Sequence, residues 1–577
     1  MRVALGFANR AELALSNLGF RITEALLAAR PGVRLERLFL PAGRAPLAGA
    51  RIRTTPSGLK LPSLDLLLWS LSFEGDAPHL PALMAAGGLP ALAEERDEGH
   101  PLVVAGGAAV MINPEPLAAF CDLFLVGEAE ALLEAFLDRW QALRGERRAA
   151  AIAALAELPG AVAPLLRRHR VWALPEGGDR GRGGSPDAAG APRPAGSGAA
   201  GTGIGFSLRG GDEVSLRRGP GRFDPWPEAA AGSAVETVKW TQAAGEVSRA
   251  RLAADGAFPG ALLLELGRGC PRRCRFCAAT RIYAPLRRRP AGLVARVARE
   301  ESLPGETVGL LSLSAGDHPG LGALTQELCA AGRRVSISSL PATFDDEAAL
   351  RALLDSGTTT LTIAPETGSD RLRALAGKPM ENEAILRGVE RLGMAGLAQL
   401  RAYFMIGLPF EEEEDLRALT LLLARMRALL PASTRLSATV NAFSPKPRTP
   451  FQWAGMAPAH YLEDASRRLL KDAPRGVTVR VKSPREARRH ALLARGDVRW
   501  GARLAAMAGE WRAVARVLRA EGLRAEALTG AADPGTPLPW GYLVSPREAI
   551  LLREEWERAR AEAGRGEPGT PGGRASP

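Results

Sequence analysis

"GALLLELGRGCPRRCRFC", residues 260–277, is an apolar run followed by an arginine-rich turn that carries three of the chain's five cysteines. The run reads as a buried strand, and Cys270, Cys274 and Cys277 follow its carboxyl end. On a loop, C-x-x-x-C-x-x-C spacing lets three thiolates converge on one inorganic centre. A structural zinc needs a fourth Cys or His. The nearest histidines are His169 and His318, and the other cysteines, Cys121 and Cys329, are remote in sequence. An iron-sulfur cluster usually takes four cysteines, so three on a four-iron cubane would leave one iron open to a ligand. Spacing alone leaves a zinc completed from afar as the alternative.

Outward from this strand the pattern repeats. "GETVGLLSLS", "RRVSISSLP", "TTTLTIAPE" and "AQLRAYFMIGLP" are further strand candidates with helical stretches between them. Repeated β-α units predict a full or partial (β/α) barrel over 258–482, with its chemistry at the carboxyl ends of the strands. Upstream, "RVALGF", "VRLERLFL", "LDLLLWSLS", "PLVVAGG" and "CDLFLVGE" alternate with helical spacing at 11–29 and 79–95. That alternation predicts a doubly wound, Rossmann-like α/β domain over residues 1–150. Gly106, Gly107 and Gly127 follow its strands at the edge where such folds bind ligands, although tight turns alone also explain them. A connecting region spans 151–257. Within it, 176–212 is Gly, Ala, Pro and Ser with little apolar pattern, the composition of a flexible linker. A helical C-terminal region is expected over 483–563 and a disordered tail over 564–577.

The 577 residues suggest roughly three to four domains. Hydrophobic residues make up 46% of the sequence and aromatic residues 5%, so the core is built mainly from Ala, Leu and Val. The formal charge of +12 invites a polyanion. The abundance of Arg, Ala, Gly and Pro fits a GC-biased coding sequence equally well. No secretory h-region is visible at the N-terminus, and apolar runs such as "LTLLLARMRALL" are broken by Arg before bilayer length. A cytoplasmic protein without a membrane span is the expectation, with reduced thiols available as ligands.

C-x-x-x-C-x-aromatic-C, with Phe276 as the aromatic residue, resembles the signature of the radical SAM superfamily. The resemblance extends over roughly 258–455. "TIAPETGSDRLRALAGK", with Glu366, Gly368, Ser369 and Asp370, and then "YFMIGLPFEEEEDL" and "FSPKPRTPFQW", are similar to segments of the subgroup containing tRNA methylthiotransferases and elongator-type acetyltransferases. It implies a [4Fe-4S] cluster on Cys270, Cys274 and Cys277, with S-adenosylmethionine chelated by the open iron. Many members have Gly-Gly-Glu after the second strand; here "LSLSAGDH" stands there, and the resemblance assigns its contacts to Ser314, Gly316 and Asp317. Ser338 and Ser339 are the candidates for ribose hydroxyls, and Lys378 for a carboxylate partner.

"PLVVAGGAAVMINPEPLAAF", "CDLFLVGEAEALLEAFL" and "LLARGDVRWG" make the whole similar to uncharacterised radical SAM proteins with an N-terminal B12-binding-type domain. Cobalamin stays open, because residues 1–150 contain no D-x-H-x-x-G motif to supply an axial histidine. A second three-cysteine cluster is ruled out by count, which excludes methylthiotransferase chemistry. The resemblance implies reductive cleavage of S-adenosylmethionine to a 5′-deoxyadenosyl radical, with cobalamin-dependent methyl transfer to an unreactive carbon as one outcome. The alternatives are an RNA-modifying enzyme that docks RNA on its arginine-rich C-terminal helices, and a non-catalytic iron-sulfur scaffold or sensor. The expected partners are an unknown substrate and a low-potential donor such as flavodoxin or ferredoxin.

Overall fold

The computed structural model describes residues 1–41, 50–167, 203–206, 216–219, 235, 237–240, 247–252, 260–337 and 339–564. The N-terminal sheet comprises β1 (Arg2–Arg10), β2 (Arg34–Leu40), β3 (Leu66–Ser70), β4 (Leu102–Gly106), β5 (Leu123–Leu125) and β6 (Ala161–Val162). Its order is β2-β1-β3-β4-β5-β6, parallel except for β6. The first five strands follow the 2-1-3-4-5 order of doubly wound sheets, whose ligand crevice lies at the carboxyl ends beside the β1/β3 switch point. Side chains on β1 alternate between two covered faces. Val3, Leu5 and Phe7 pack with Phe20 and Phe136, while Ala4 and Ala8 pack with Leu80 and Met84.

Helical spacing expected over 11–29 is interrupted at Asn17, whose Oδ1 accepts the Phe20 N–H at 2.9 Å and starts the helix Leu18–Ala29. Over 79–95 the helix ends at Ala86, before Gly87–Gly88, and a short 3₁₀ turn, Ala93–Glu95, follows. Of the segment expected as a linker, only β7 (Gly203–Phe206) is described; it pairs antiparallel with β8 (Leu216–Gly219). The rest of 176–212, and the tail beyond residue 564, lie outside the described residues.

The second half is a half-barrel. It begins with β9 (Arg249–Arg251), β10 (Leu262–Glu265), the short pair β11 (Gly267–Arg268) and β12 (Arg287–Arg288), then β13 (Thr307–Leu311) and β14 (Arg334–Ile337). It continues with β15 (Thr360–Glu366), β16 (Gln399–Ile406), β17 (Arg435–Ala442) and β18 (Val477–Val481). Two sheets result, β14-β13-β10-β9 and β15-β16-β17-β18, parallel except at the β9 edge. They meet where the Leu340 N–H donates to the Thr362 carbonyl at 3.0 Å. Helices Ala291–Glu301, Leu321–Ala330, Glu347–Asp355, Asn382–Met394, Glu413–Leu429 and Ala459–Lys471 cover one face.

The C-terminal helices Pro484–Ala494, Trp500–Met507, Val514–Ala520 and Pro546–Glu562 weld the two halves together. Their Trp500, Leu504, Leu552 and Trp556 share one core with Trp69 and Leu80 of the N-terminal domain and with Phe410 and Phe451 of the half-barrel. Polar ties cross the same seam. Asn113 donates to the Ala494 and Gly496 carbonyls at 2.9 and 2.8 Å, and Arg448 donates to the Met111 carbonyl at 2.9 Å. Among the described residues no helix is long and apolar enough to cross a membrane.

Candidate active site

Cys270, Cys274 and Cys277 lie on the loop after β11, at the carboxyl edge of the half-barrel. Gly269 has φ +90°, and a Cβ there would meet the Tyr283 and Pro285 carbonyl oxygens and Leu286 Cα at 2.8–2.9 Å. Only glycine lets the chain turn under these backbones. The loop is pinned on three sides. Arg272 forms a two-pronged bond with Asp317, 2.8 and 3.1 Å. The Arg275 amide donates to the Ala376 carbonyl at 2.9 Å. The buried Arg275 guanidinium reaches the Leu375 carbonyl at 2.9 Å and the carboxylates of Glu562 and Glu555 on the last helix, 2.7 and 3.3 Å.

Burial pushes the Cys274 thiol up to about 12, against the pull of Lys378. Burial also raises Cys277, opposed by the Thr280 and Ala279 amides. The neighbouring Cys270 adds to the penalty on both, and Cys277 to that on Cys274. Thiolates in such a place persist when a bound cation compensates them, so the donor set suits iron. Among the described residues no three His, Cys, Asp or Glu side chains close into a ligand set for a single ion.

At the end of β15, Lys378 donates to Glu366 at 2.7 Å and to the Ala364 carbonyl at 2.7 Å. This pair faces the cysteines, since both charges act on Cys274. The fully buried Arg373 fixes the turn behind it, donating to the Pro365 and Thr367 carbonyls at 3.0 and 2.7 Å. Phe276 packs against the core shared with the C-terminal helices.

The other expected contacts are distributed differently. Asp317 is engaged by Arg272, so it ties the loop after β13 to the cysteine loop. Ser314 starts the 3₁₀ turn Ala315–Asp317, and a Cβ on Gly316 would strike Pro341 Cδ at 2.1 Å. A Cβ on Gly368 would lie 2.0 Å from the Leu419 amide nitrogen, a close helix approach. The Ser369 hydroxyl caps the helix Asp370–Leu375 and bonds Asp415. Gly368 and Ser369 are thus occupied by packing and capping. Ser338 lies outside the described residues. Cys121 is wholly buried in the N-terminal core, and the Cys329 thiol contacts the Ala352 carbonyl at 3.2 Å.

A cavity of about 500 Å³ opens between the N-terminal sheet and this loop. Gly106, Gly107 and Gly127 line its N-terminal side with Leu68, Trp69 and Met111; Arg268, Gly269 and Ser312 line the side facing the cysteines. Among the described residues no histidine lines it. One wall is a charge network that motif reading missed. Arg268 pairs with Glu265, Glu130 and Glu128 at 2.6, 2.7 and 3.1 Å. Arg287 grips Glu128 at 2.6 and 2.8 Å, and Arg289 bonds Glu265. Burial works against the Glu128 charge, but Arg287, Arg268 and the Trp240 amide together outweigh it and hold the carboxyl below its ordinary range. Three carboxylates thus meet three guanidiniums across the junction between domains. The sequence signal was the Glu128-x-Glu130 pair directly after a strand-end glycine.

Residues 264–423 match the radical SAM superfamily, and residues 19–164 match the N-terminal domain of radical SAM proteins. An uncharacterized protein of Methanocaldococcus jannaschii is 33% identical over 250 residues, 42% of this chain and 54% of that protein. One from Methanopyrus kandleri is 27% identical over 238 residues, 38% of this chain and 44% of that protein. The matches therefore span about half the length of these relatives. Among solved structures, the chain is similar to TsrM from Kitasatospora setae, a radical S-adenosylmethionine methyltransferase with cobalamin and a [4Fe-4S] cluster bound. The identity is 14%, covering 80% of this chain and 75% of that one, at a TM-score of 0.44. OxsB, a cobalamin-dependent S-adenosylmethionine radical enzyme, is 10% identical over 97% of this chain and 79% of its own, also at 0.44. With the cysteine loop at the carboxyl edge of a half-barrel, and a doubly wound α/β domain before it that matches the N-terminal domain of radical SAM proteins, the chain belongs to the radical SAM superfamily.

Proposed function

We propose that Cys270, Cys274 and Cys277 hold a [4Fe-4S] cluster whose fourth iron binds S-adenosylmethionine, and that the enzyme acts on an unreactive carbon of a substrate admitted beside the cysteine loop. When bound and reduced, such a cluster supplies one electron to the sulfonium and so gives a 5′-deoxyadenosyl radical that abstracts hydrogen. The chain's own part is positioning. Arg272–Asp317 and the Arg275 tether hold the loop. Lys378 and Glu366 present a fixed pair of charges at the carboxyl end of β15, suited to the amino and carboxylate groups of a bound amino acid. Phe276 and the core behind it keep water from one side of the loop. The observation that carries this reading is the placement of three thiols on one loop, Cys274 buried and Cys270 and Cys277 half-buried, beside the Lys378–Glu366 pair.

Cobalamin is a second reading, favoured by a cavity at the carboxyl edge of the N-terminal sheet that faces the cysteine loop. The cavity offers cobalt no histidine, so a corrin there would lack an imidazole ligand from the described residues. The electron source would be flavodoxin or ferredoxin. The test is anaerobic reconstitution with iron and sulfide, followed by reduction and measurement of 5′-deoxyadenosine, with an absorption spectrum after incubation with hydroxocobalamin. Formation of 5′-deoxyadenosine supports the enzyme; its absence from fully loaded protein leaves the scaffold reading. Without a corrin spectrum the methyl-transfer reading fails.

A further inference from the structure

Part of the positive charge of the C-terminal region is engaged, although Arg512, Arg516 and Arg519 stay exposed there. In the C-terminal helices Arg488 and Arg495 are buried, and Arg499 and Arg503 pair with Asp497 and Glu521 at 2.5 and 2.7 Å. A further set of exposed guanidiniums gathers on the open face of β16–β18. Leu400, Ala402, Phe404, Leu436, Ala438 and Val440 turn to the helices and the core. The alternate positions therefore form the opposite face, inside the half-barrel, where a closed barrel would carry branched apolar side chains. Here the register sets Gln399 beside Arg435, then Arg401 beside Ser437 and Thr478, then Tyr403 beside Thr439 and Arg480.

These residues line a groove of about 980 Å³ that also takes in Arg475 and, among the described residues, is lined by no Asp or Glu. Arg401, Arg435, Arg475 and Arg480 are exposed, and none has a carboxylate partner among the described residues. Tyr403 is 39% exposed between them. The next row up holds Met405 and Asn441, level with the Glu366 end of β15. From Gln399 to Met405 is about 20 Å at the usual strand rise of about 3.3 Å per residue. That reach exceeds a single phosphate and ends at the site of the proposed chemistry.

Unpaired arginines along a groove with an exposed aromatic ring among them are the two elements by which proteins hold single strands: phosphates on the guanidiniums, a base on the ring. We propose that the open face of β16–β18 binds a single-stranded nucleic acid, with Arg401, Arg435, Arg475 and Arg480 gripping its phosphates and Tyr403 stacking on a base, so that the strand runs toward the cysteine loop. The substrate class rests on the proposed radical chemistry; the binding itself does not.

The test uses the full-length protein and a fluorescein-labelled 12-nucleotide single-stranded RNA of mixed sequence, followed by anisotropy between 50 and 200 mM KCl. The DNA strand of the same sequence and adenosine 5′-monophosphate serve as competitors. Affinity should fall steeply with salt. Arg401→Gln with Arg480→Gln should weaken binding at least tenfold at 50 mM KCl and flatten the slope of log K against log salt by about 1.4, from ~0.7 per charge on a single strand. Tyr403→Ala should weaken binding about tenfold with the slope unchanged, which no general loss of charge would produce. Arg417→Glu, on the outer helix, should leave binding unaltered. Competition by the DNA strand supports a phosphodiester grip without reading of the 2′-hydroxyl. Unchanged affinity in both Tyr403→Ala and the folded double variant overturns the inference. So does competition by adenosine 5′-monophosphate at the same phosphate concentration, which would mark a small phosphorylated substrate. Binding without 5′-deoxyadenosine formation would refute only the proposed reaction; 5′-deoxyadenosine formation without binding would refute only this inference.

Discussion

Replacing Arg268 by Met, which keeps most of the side-chain volume, removes one of three cations from the network at the cavity wall. Glu128 retains Arg287 and the Trp240 amide, at 2.8 and 2.9 Å, and Glu265 retains Arg289. Glu130 is left with the Ser248 hydroxyl at 3.1 Å, while its side chain is only 9% exposed. Breaking a buried pair in this way costs about 3–5 kcal/mol. Protonation sets a ceiling on the charge part of that cost. Neutralising a carboxyl of ordinary pKa about 4.3 takes about 3.7 kcal/mol at pH 7 but about 1 kcal/mol at pH 5, at 1.36 kcal/mol per unit. The penalty at pH 7 should therefore be about 3–4 kcal/mol and should shrink by more than half at pH 5. Hydrogen exchange of the segments 123–130 and 262–268, corrected for intrinsic rates, reads it as a loss of local opening free energy. Adding Glu130→Leu should recover most of the loss, because the orphaned charge goes with it. A penalty below about 1 kcal/mol at pH 7, or one that does not change with pH, would refute the reasoning.

Two further perturbations address the half-barrel. Burial raises Glu411 to about 7, and its Oε1 accepts the Gly407 amide and the Tyr461 hydroxyl, both at 2.7 Å. Because the folded-state value lies above the unfolded one, the folded chain holds the extra proton between about pH 4.5 and 7, and stability is lost as pH rises through that window. Glu411→Gln keeps both acceptor contacts and should remove roughly 3 kcal/mol of that slope; parallel wild-type and variant unfolding curves from pH 5 to 8 would contradict it. Gly269→Ala combines a positive φ, about 1–3 kcal/mol for a side chain, with three backbone collisions. It should displace the cysteine loop and reduce iron uptake on reconstitution to well under half, while the far-ultraviolet circular dichroism stays unchanged; full iron content would show that the turn tolerates a Cβ.

Five strands of each half were legible because each is a short apolar run bounded by Gly, Pro or polar residues, whereas β17 and β18, in which polar residues alternate with apolar ones, were not. The three cysteines stood out by their spacing, and the structure sets them on one loop after β11. The helix breaks at Asn17 and Gly87 were visible as cap and stop residues within segments whose periodicity read as continuous. The welding of the domains was not legible. Arg275 meets Glu562 across 287 residues, and Asn113 meets Gly496 across 383; no local pattern encodes such pairs. Gly368 and Ser369 show the converse limit, since a motif reports that residues recur together and not whether each faces a ligand or a helix. The arginine face of β16 could have been found in the alternation of "QLRAYFMI", where every second residue departs from the apolar pattern.

The central claim is a cluster on three cysteines with one iron left for S-adenosylmethionine. Its most direct test is the electron paramagnetic resonance spectrum of anaerobically reconstituted, dithionite-reduced protein, recorded before and after S-adenosylmethionine is added. The account predicts a reduced [4Fe-4S] signal whose g-values shift on addition, and no such signal in Cys274→Ala. A signal indifferent to S-adenosylmethionine would mean that the fourth iron is already ligated, and the account would then be wrong.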